Sequence, residues 1–304
     1  MITIALSDKG TMSMTARRGI AALKSSALAM LVTCAVAPAM AQGQQAPVPA
    51  GFTSMFDGKT LNGWKGDPTI WSVRDGAITG SSDTPISANT YLIYEKPYAN
   101  FEIRFKYRWL TDVGNSGLQF RSGQIAGNYI LAGMQANVTP VGKPERFAML
   151  YDELGERQEM VLLGQKATIT RAQAAGGGQG RIIRTVTEMV NSREEILSHV
   201  KPTGEWNEDV LIVYGNRYWH AVNGYLAFDA TDDDPLNARD GLLGWQFHKG
   251  PASTVQFKDI VIRPLTAMPD ITGRFITKPH AAPEPRVTYK DSTMVGMADK
   301  ALPQ

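Results

Sequence analysis

The sequence predicts an all-β sandwich of two antiparallel sheets with one short helix, and three observations carry that prediction. Short segments alternate apolar and polar side chains, most plainly over 101–109, where Phe101, Ile103, Phe105, Tyr107 and Trp109 interleave with Glu102, Arg104, Lys106 and Arg108. Turn dipeptides punctuate the chain at Asp57-Gly58, Asn62-Gly63, Asp75-Gly76 and Asn223-Gly224, the last between two apolar runs as a tight hairpin requires. Helices do not alternate with these segments, which argues against a parallel α/β sheet. The 304 residues suit one large domain with tails, and a formal net charge of +2 without a long basic block gives no attraction to nucleic acid or an anionic membrane.

Taken in order, the chain opens on Arg17, Arg18 and Lys24 before the apolar run 27–38, and Ala39-Met40-Ala41 supplies a small-x-small cleavage pattern. Residues 1–41 therefore read as a signal cut after Ala41, for export to the periplasm or beyond the cell. The run is too short for a transmembrane anchor. Arg17-Arg18 raises a twin-arginine route, but its flanks fit that motif poorly and general secretion is expected; Met12 and Met14 offer alternative starts. Cys34, the single cysteine, lies inside the signal after Thr33, where a lipid anchor needs a smaller residue. The exported chain would thus hold no disulfide, and its stability must come from a core.

Residues 42–50 form a polar, Pro-containing linker, and the domain is expected over 51–265. Strands are expected at 71–73, 77–79, 91–94, 101–109, 147–151, 166–170, 210–214, 218–222, 225–229 and 255–262. In the last, Val255 and Phe257 are out of phase with Ile260 and Ile262, which predicts a bulge near Lys258-Asp259. Ser192 and Glu195 make a capping box for a short helix that Pro202 and Gly204 stop. The Gly-rich run 173–180 lacks the Lys-Ser/Thr ending of a phosphate loop and reads as a connection. Residues 266–304 form a Pro-containing extension, either wrapped over the domain or without structure.

Strand phase also selects candidate ligand residues. Over 115–121, Leu118 and Phe120 point one way and Gln119 and Arg121 the other. The same division recurs where Leu243, Trp245 and Phe247 oppose Gln246 and His248, and where Met134, Ala136 and Val138 oppose Gln135 and Asn137. If these strands share a sheet, Gln119, Arg121, Gln135, Gln246 and His248 lie on one polar surface, with Asn115 at its edge. His220, Trp64, Trp71 and Trp245 fall among packing residues. Asp232-Asp233-Asp234 lacks the Gly and distant Glu of a calcium loop and reads as a solvated turn.

Several of these segments, in this order, resemble one family: Phe56-Asp-Gly-Lys-Thr-Leu-Asn-Gly-Trp64, Trp71-Ser-Val-Arg-Asp-Gly-Ala-Ile-Thr-Gly80, Asn100-Phe-Glu-Ile-Arg104, Asn115-Ser-Gly-Leu-Gln-Phe-Arg121, Glu205-Trp-Asn207, Asn223-Gly224, Gln246-Phe-His248 and Val255-Gln-Phe-Lys-Asp-Ile260. Together they resemble the 3-keto-disaccharide hydrolase domain, also catalogued as domain of unknown function 1080. The resemblance implies a concanavalin-like jelly-roll sandwich, exported by bacteria and acting on glycosides oxidised at C3. Many members carry Gly-Tyr-Glu-x-Gln; here the run Tyr129-Ile-Leu-Ala-Gly-Met-Gln135 keeps the Gln and lacks the Glu. A subgroup with a Leu-Tyr-Asp-Glu segment is closer, matching Leu150-Tyr151-Asp152-Glu153, so a carboxylate absent from one strand is replaced from another.

A 3-keto sugar allows a route without an oxocarbenium ion, because the ketone acidifies the C2 proton and the enolate then expels the C1 substituent. Such a site needs a base near C2, help for the enolate oxygen and a proton for the leaving oxygen. Arg121 is expected in the oxyanion role. His248, Asp152 and Glu153 are the acid/base candidates, with strand phase favouring Asp152, and Gln119, Gln135 and Gln246 are expected to hold sugar hydroxyls. A divalent metal on His248 with Asp152 or Glu153 would serve the ketone equally. Against these stand plainer readings: Arg121 as a surface ion pair with Glu102 or Asp152, a carbohydrate-binding module without catalysis, or a conventional glycosidase with paired carboxylates. The partner in every reading is a carbohydrate, and the sequence sets no oligomeric state.

Overall fold

The structure is a computed structural model that describes residues 45–142, 146–172 and 180–290, with the side chains of 181 and 283–290 excepted. The expected signal, Cys34 and most of the Gly-rich run lie outside the described residues. In chain order the first strands are β1 (Thr53–Ser54), β2 (Trp64–Lys65), β3 (Trp71–Arg74), β4 (Ala77–Ser82), β5 (Thr90–Tyr98) and β6 (Phe101–Trp109). There follow β7 (Ser116–Gln124), β8 (Leu131–Val138), β9 (Leu150–Glu153), β10 (Gln158–Val161), β11 (Gln165–Ala172) and β12 (Arg181–Met189). After the helix α1 (Arg193–Ser198) come β13 (Asn207–Tyr214), β14 (Arg217–Val222), β15 (Tyr225–Asp232), β16 (Gly241–Phe247), β17 (Ser253–Pro264) and β18 (His280–Lys290).

They form two sheets. The larger has eleven strands, in the order β18-β12-β11-β15-β14-β13-β6-β17-β4-β3 with β1 added beside β17; the smaller has seven, ordered β10-β9-β8-β7-β16-β5-β2. Pairing is antiparallel throughout except between β11 and β15. The expected sandwich is what the chain forms, and the apolar phase of each strand is what joins its halves. Trp245 of the smaller sheet stacks on Phe257 of the larger with ring centroids 4.1 Å apart and meets Phe105 edge-on at 4.7 Å. Phe120 likewise reaches Tyr218 at 5.6 Å. Leu118, Met134, Leu243 and Phe247 complete this dry layer, each at most 1 % exposed, and Trp64 and Trp71 are buried with them.

The local signals act as expected at several points. Asn223 and Gly224 both have positive φ, 48° and 84°, and turn β14 into β15 as a tight hairpin. The Ser192 hydroxyl accepts the Glu195 N–H at 3.1 Å and caps α1. β17 shifts register between Lys258 and Val261, with Asp259 at φ 52°. The acidic run departs from expectation. Asp232 and Asp234 are fully buried and bound to Arg157 and Arg171, so only Asp233 is solvated. The two arginines that neutralise them come from β11 and from the turn between β9 and β10, too distant along the chain for a local pattern to reveal. Past β17 the chain stays on the domain: Arg274 joins Arg104 and Arg263 around the buried Glu102 carboxylate, and β18 pairs antiparallel with β12. Among the described residues no helix is long and apolar enough to cross a membrane.

Candidate functional site

The polar phases of the smaller sheet come out together on its outer face. Register puts Gln246 of β16 opposite Tyr91 of β5, and Gln119 of β7 opposite Gln135 of β8, so side chains distant in sequence share one surface. Over β8, β9 and β16 that surface sinks into a cavity of about 420 Å³, within the range of small-ligand sites. Its lining includes Asn89, Asn115, Gln135, Asn137, Arg146, Tyr151, Glu153, His248 and Lys249.

The amides form a connected floor. Gln246 donates to the Tyr91 hydroxyl at 2.9 Å, and Gln135 donates to Asn137 Oδ1 at 2.8 Å and to Gln246 Oε1 at 3.4 Å. Because the Gln135 amide nitrogen makes both bonds, its oxygen is left over: Gln135 Oε1 is buried without a partner, as is Asn115 Oδ1. Buried acceptors of this kind cost free energy until a donor arrives, and a polyol brings donors. His248 follows β16, half-buried, with Nδ1 donating to the Lys249 carbonyl at 2.5 Å, so that in the neutral ring Nε2 holds the lone pair.

Glu153 is the carboxylate in this cavity. It closes β9 at 8 % exposure, and its Oε1 accepts from Asn89 at 3.0 Å. Burial lifts its pKa above the ordinary carboxylate value, and hydrogen bonds from Gln246, Asn89 and Tyr91 only partly oppose that rise. Among the described residues it makes no ion pair, so nothing cationic holds its charge in place. The Tyr91 hydroxyl is pushed up as well, chiefly by burial and secondarily by the Glu153 charge.

Two expected site residues are corrected. Arg121 does not join the cavity: at φ 46° it sits in a bulge of β7, where register shifts between Phe120 and Gly123, and the extra residue turns its side chain away. There its guanidinium bonds the carbonyls of Ala99 at 2.9 Å and Gly215 at 2.6 Å, Asn100 Oδ1 at 3.2 Å and the Tyr218 hydroxyl at 3.3 Å. Neither the oxyanion placement nor the ion pair with Glu102 or Asp152 forms. Asp152 is the second correction. Counting the phase back to Phe147 favoured it, but Ala148 at φ 49° breaks the alternation before β9 begins at Leu150. Tyr151 and Glu153 thus face the cavity while Asp152 points away, ion-paired with Arg157 at 3.0 Å.

The other expected residues divide. Gln135, His248, Glu153 and Asn115 line one cavity; Gln246 lies in its floor. Gln119 is on the same face but wholly covered, its amide turned toward the Leu131 and Gly133 carbonyls at 3.5 and 3.4 Å. His220 is a core residue as expected, bound to Asp209 at 2.6 Å. Asn89, Tyr91, Tyr151 and Lys249 were missed. Only Asn137 carried a readable signal, since it shares the phase of Gln135. For a metal, His248 and Glu153 share the cavity, yet among the described residues no three His, Cys, Asp or Glu side chains gather where they could hold an ion.

A family described as the 3-keto-alpha-glucoside-1,2-lyase-like domain matches residues 51–263. A 3-keto-disaccharide hydrolase of Bacteroides thetaiotaomicron is 25% identical over 194 residues, which is 59% of this chain; the chain spans 58% of that relative's length. Among solved structures, a Parabacteroides distasonis protein provisionally classed as a glycosyl hydrolase aligns at 19% identity and TM-score 0.48, over 73% of this chain and 100% of that one. A carbohydrate-binding module of Bacillus subtilis aligns at 14% identity and TM-score 0.38, over 66% and 95%. The cavity, built from residues between 87 and 249, lies wholly inside the matched span, and the chain belongs to the 3-keto-alpha-glucoside-1,2-lyase-like domain family.

Proposed function

We propose that this chain cleaves 3-keto glycosides by elimination and hydration, with Glu153 as the base. The observation that carries the reading is a buried carboxylate with a raised pKa and, among the described residues, no ion pair, set in a cavity where the Gln135 and Asn115 amide oxygens are unmet. Glu153 takes the proton from C2, and the C–H electron pair forms the C2–C3 double bond as the C3 carbonyl becomes an enolate. The enolate then reforms the ketone, shifts the double bond to C1–C2 and expels the C1 oxygen, which takes a proton from Nε2 of His248 in its imidazolium form. Water then adds its hydroxyl to C1 and leaves its other proton on His248 Nε2, while Glu153 returns its proton to C2, completing net hydrolysis. Lys249 and Arg146 at the rim supply the positive charge that Arg121 does not. Gln135, Asn115 and Asn137 hold the ring hydroxyls.

A raised pKa suits this role, since a more basic carboxylate is better matched to a carbon acid and burial denies it competing water. A conventional glycosidase is disfavoured: it needs two carboxylates flanking the bond, and Asp152 lies on the other face of β9. Incubation with a 3-keto disaccharide and its unoxidised parent tests the proposal. Release of sugar from the oxidised compound alone is expected; binding without release would identify a carbohydrate-binding module, and release from the parent a conventional glycosidase. Export through residues 1–41 belongs to the same proposal, and the periplasmic or secreted form should begin at Gln42 by N-terminal sequencing.

A further inference from the structure

A second cavity, of about 620 Å³, lies against the first, and Glu153 and Leu154 line both. It is bounded by the bulge of β7, the turn between β9 and β10, and the loop leading into β16. Its arginines are already bound. Arg157 holds Asp152 and Asp232 at 3.0 and 2.7 Å, Arg171 holds Asp234 at 2.7 Å together with Glu156, and Arg121 is bound to carbonyls. Beside the exposed Asp240, the larger part of what the cavity shows to solvent is apolar: Leu154 is 63% exposed and Leu236 is 56% exposed.

Exposed leucines at the mouth of a cavity are a place where an apolar group gains by leaving water. The left-handed backbone of Leu154, φ 58°, is of the kind that persists where surrounding structure enforces it. From this arrangement we infer that the second cavity is the leaving-group subsite of the proposed reaction, and that it takes an apolar aglycone. The oxidised ring occupies the amide-floored cavity, the C1–oxygen bond crosses the ridge at Glu153, and the departing group lies on Leu154 and Leu236. This inference rests on the proposed reaction for the direction in which substrate lies, not for the cavity itself.

The test compares methyl and cyclohexylmethyl 3-keto-glucosides, whose alkoxide leaving groups have similar basicity. The subsite predicts a KM lower by about tenfold for the cyclohexylmethyl compound, equivalent to roughly 55 Å² of apolar surface leaving water. Leu236→Asp should abolish that preference while its circular dichroism stays that of the parent. Equal KM values in the parent, or a preference that survives Leu236→Asp, would overturn the inference. If neither compound is cleaved, the reaction is misread and the subsite still stands or falls alone. Calorimetry with the unoxidised methyl and cyclohexylmethyl glucosides then decides, since equal affinities for the two would end it.

Discussion

Asp152 and Glu153 are neighbours on β9 and nearly equally hidden from water, at 6% and 8% exposure, yet they inhabit opposite environments. Asp152 faces Arg157, which is itself buried and shared with Asp232. Glu153 faces an amide, a phenol and a cavity. One carboxylate is fixed as half of an ion pair; the other is destabilised as an anion and able to exchange a proton. The electrostatic surroundings of a carboxylate here follow from which face of one strand it takes, not from its depth.

The strongest way to break this contrast is to remove each carboxylate in turn. Glu153→Gln should lower kcat on a 3-keto glycoside by about 10²- to 10⁴-fold, the usual worth of a positioned base, with the fold retained by circular dichroism. Turnover within a few-fold of the parent would sink its role. Asp152→Ala should act through stability instead. Removing one partner of a buried pair costs about 3 kcal/mol or more, and the low end applies because Asp232 still faces Arg157. Denaturant unfolding reads that loss, and an unchanged midpoint would show that the ion pair contributes little.

A smaller effect sharpens the comparison. Because the Glu153 pKa is raised above 4.5, the folded chain holds that proton more tightly than the unfolded chain does. The stability this contributes is complete below the unfolded value and disappears as pH rises through the folded one. Glu153→Gln should therefore melt slightly above the parent near pH 7, with the difference closing toward pH 4, and the parent's kcat/KM should rise along an acid limb above pH 4.5. A melting difference that does not change with pH would contradict the assignment of the raised pKa.

Most of the fold was legible because side-chain alternation is a local property. β6 runs over the residues expected, and the apolar phases of β7, β8 and β16 fill the space between the sheets. The same rule placed Gln135, Gln246 and His248 on one side, and it failed where the backbone turns left-handed without glycine. Arg121 and Ala148 each insert one residue's worth of phase, and no side-chain pattern marks either site. Tyr91 and Asn89 were unreadable for another reason: their relevance comes from the pairing of β5 with β16, a contact across some 150 residues, |i−j| being 155 for Gln246 and Tyr91. The partners of Asp232 and Asp234 were equally nonlocal.

The pairing of β18 with β12 places the last described strand at the rim of the larger sheet, next to one whose own backbone groups would otherwise be open along that side. Shortening the chain before His280 would expose that ladder to any other extended segment, including the same strand of a second molecule. Clumping of the purified protein, visible by light scattering, is then the expected outcome, while the cavity on the smaller sheet keeps its shape.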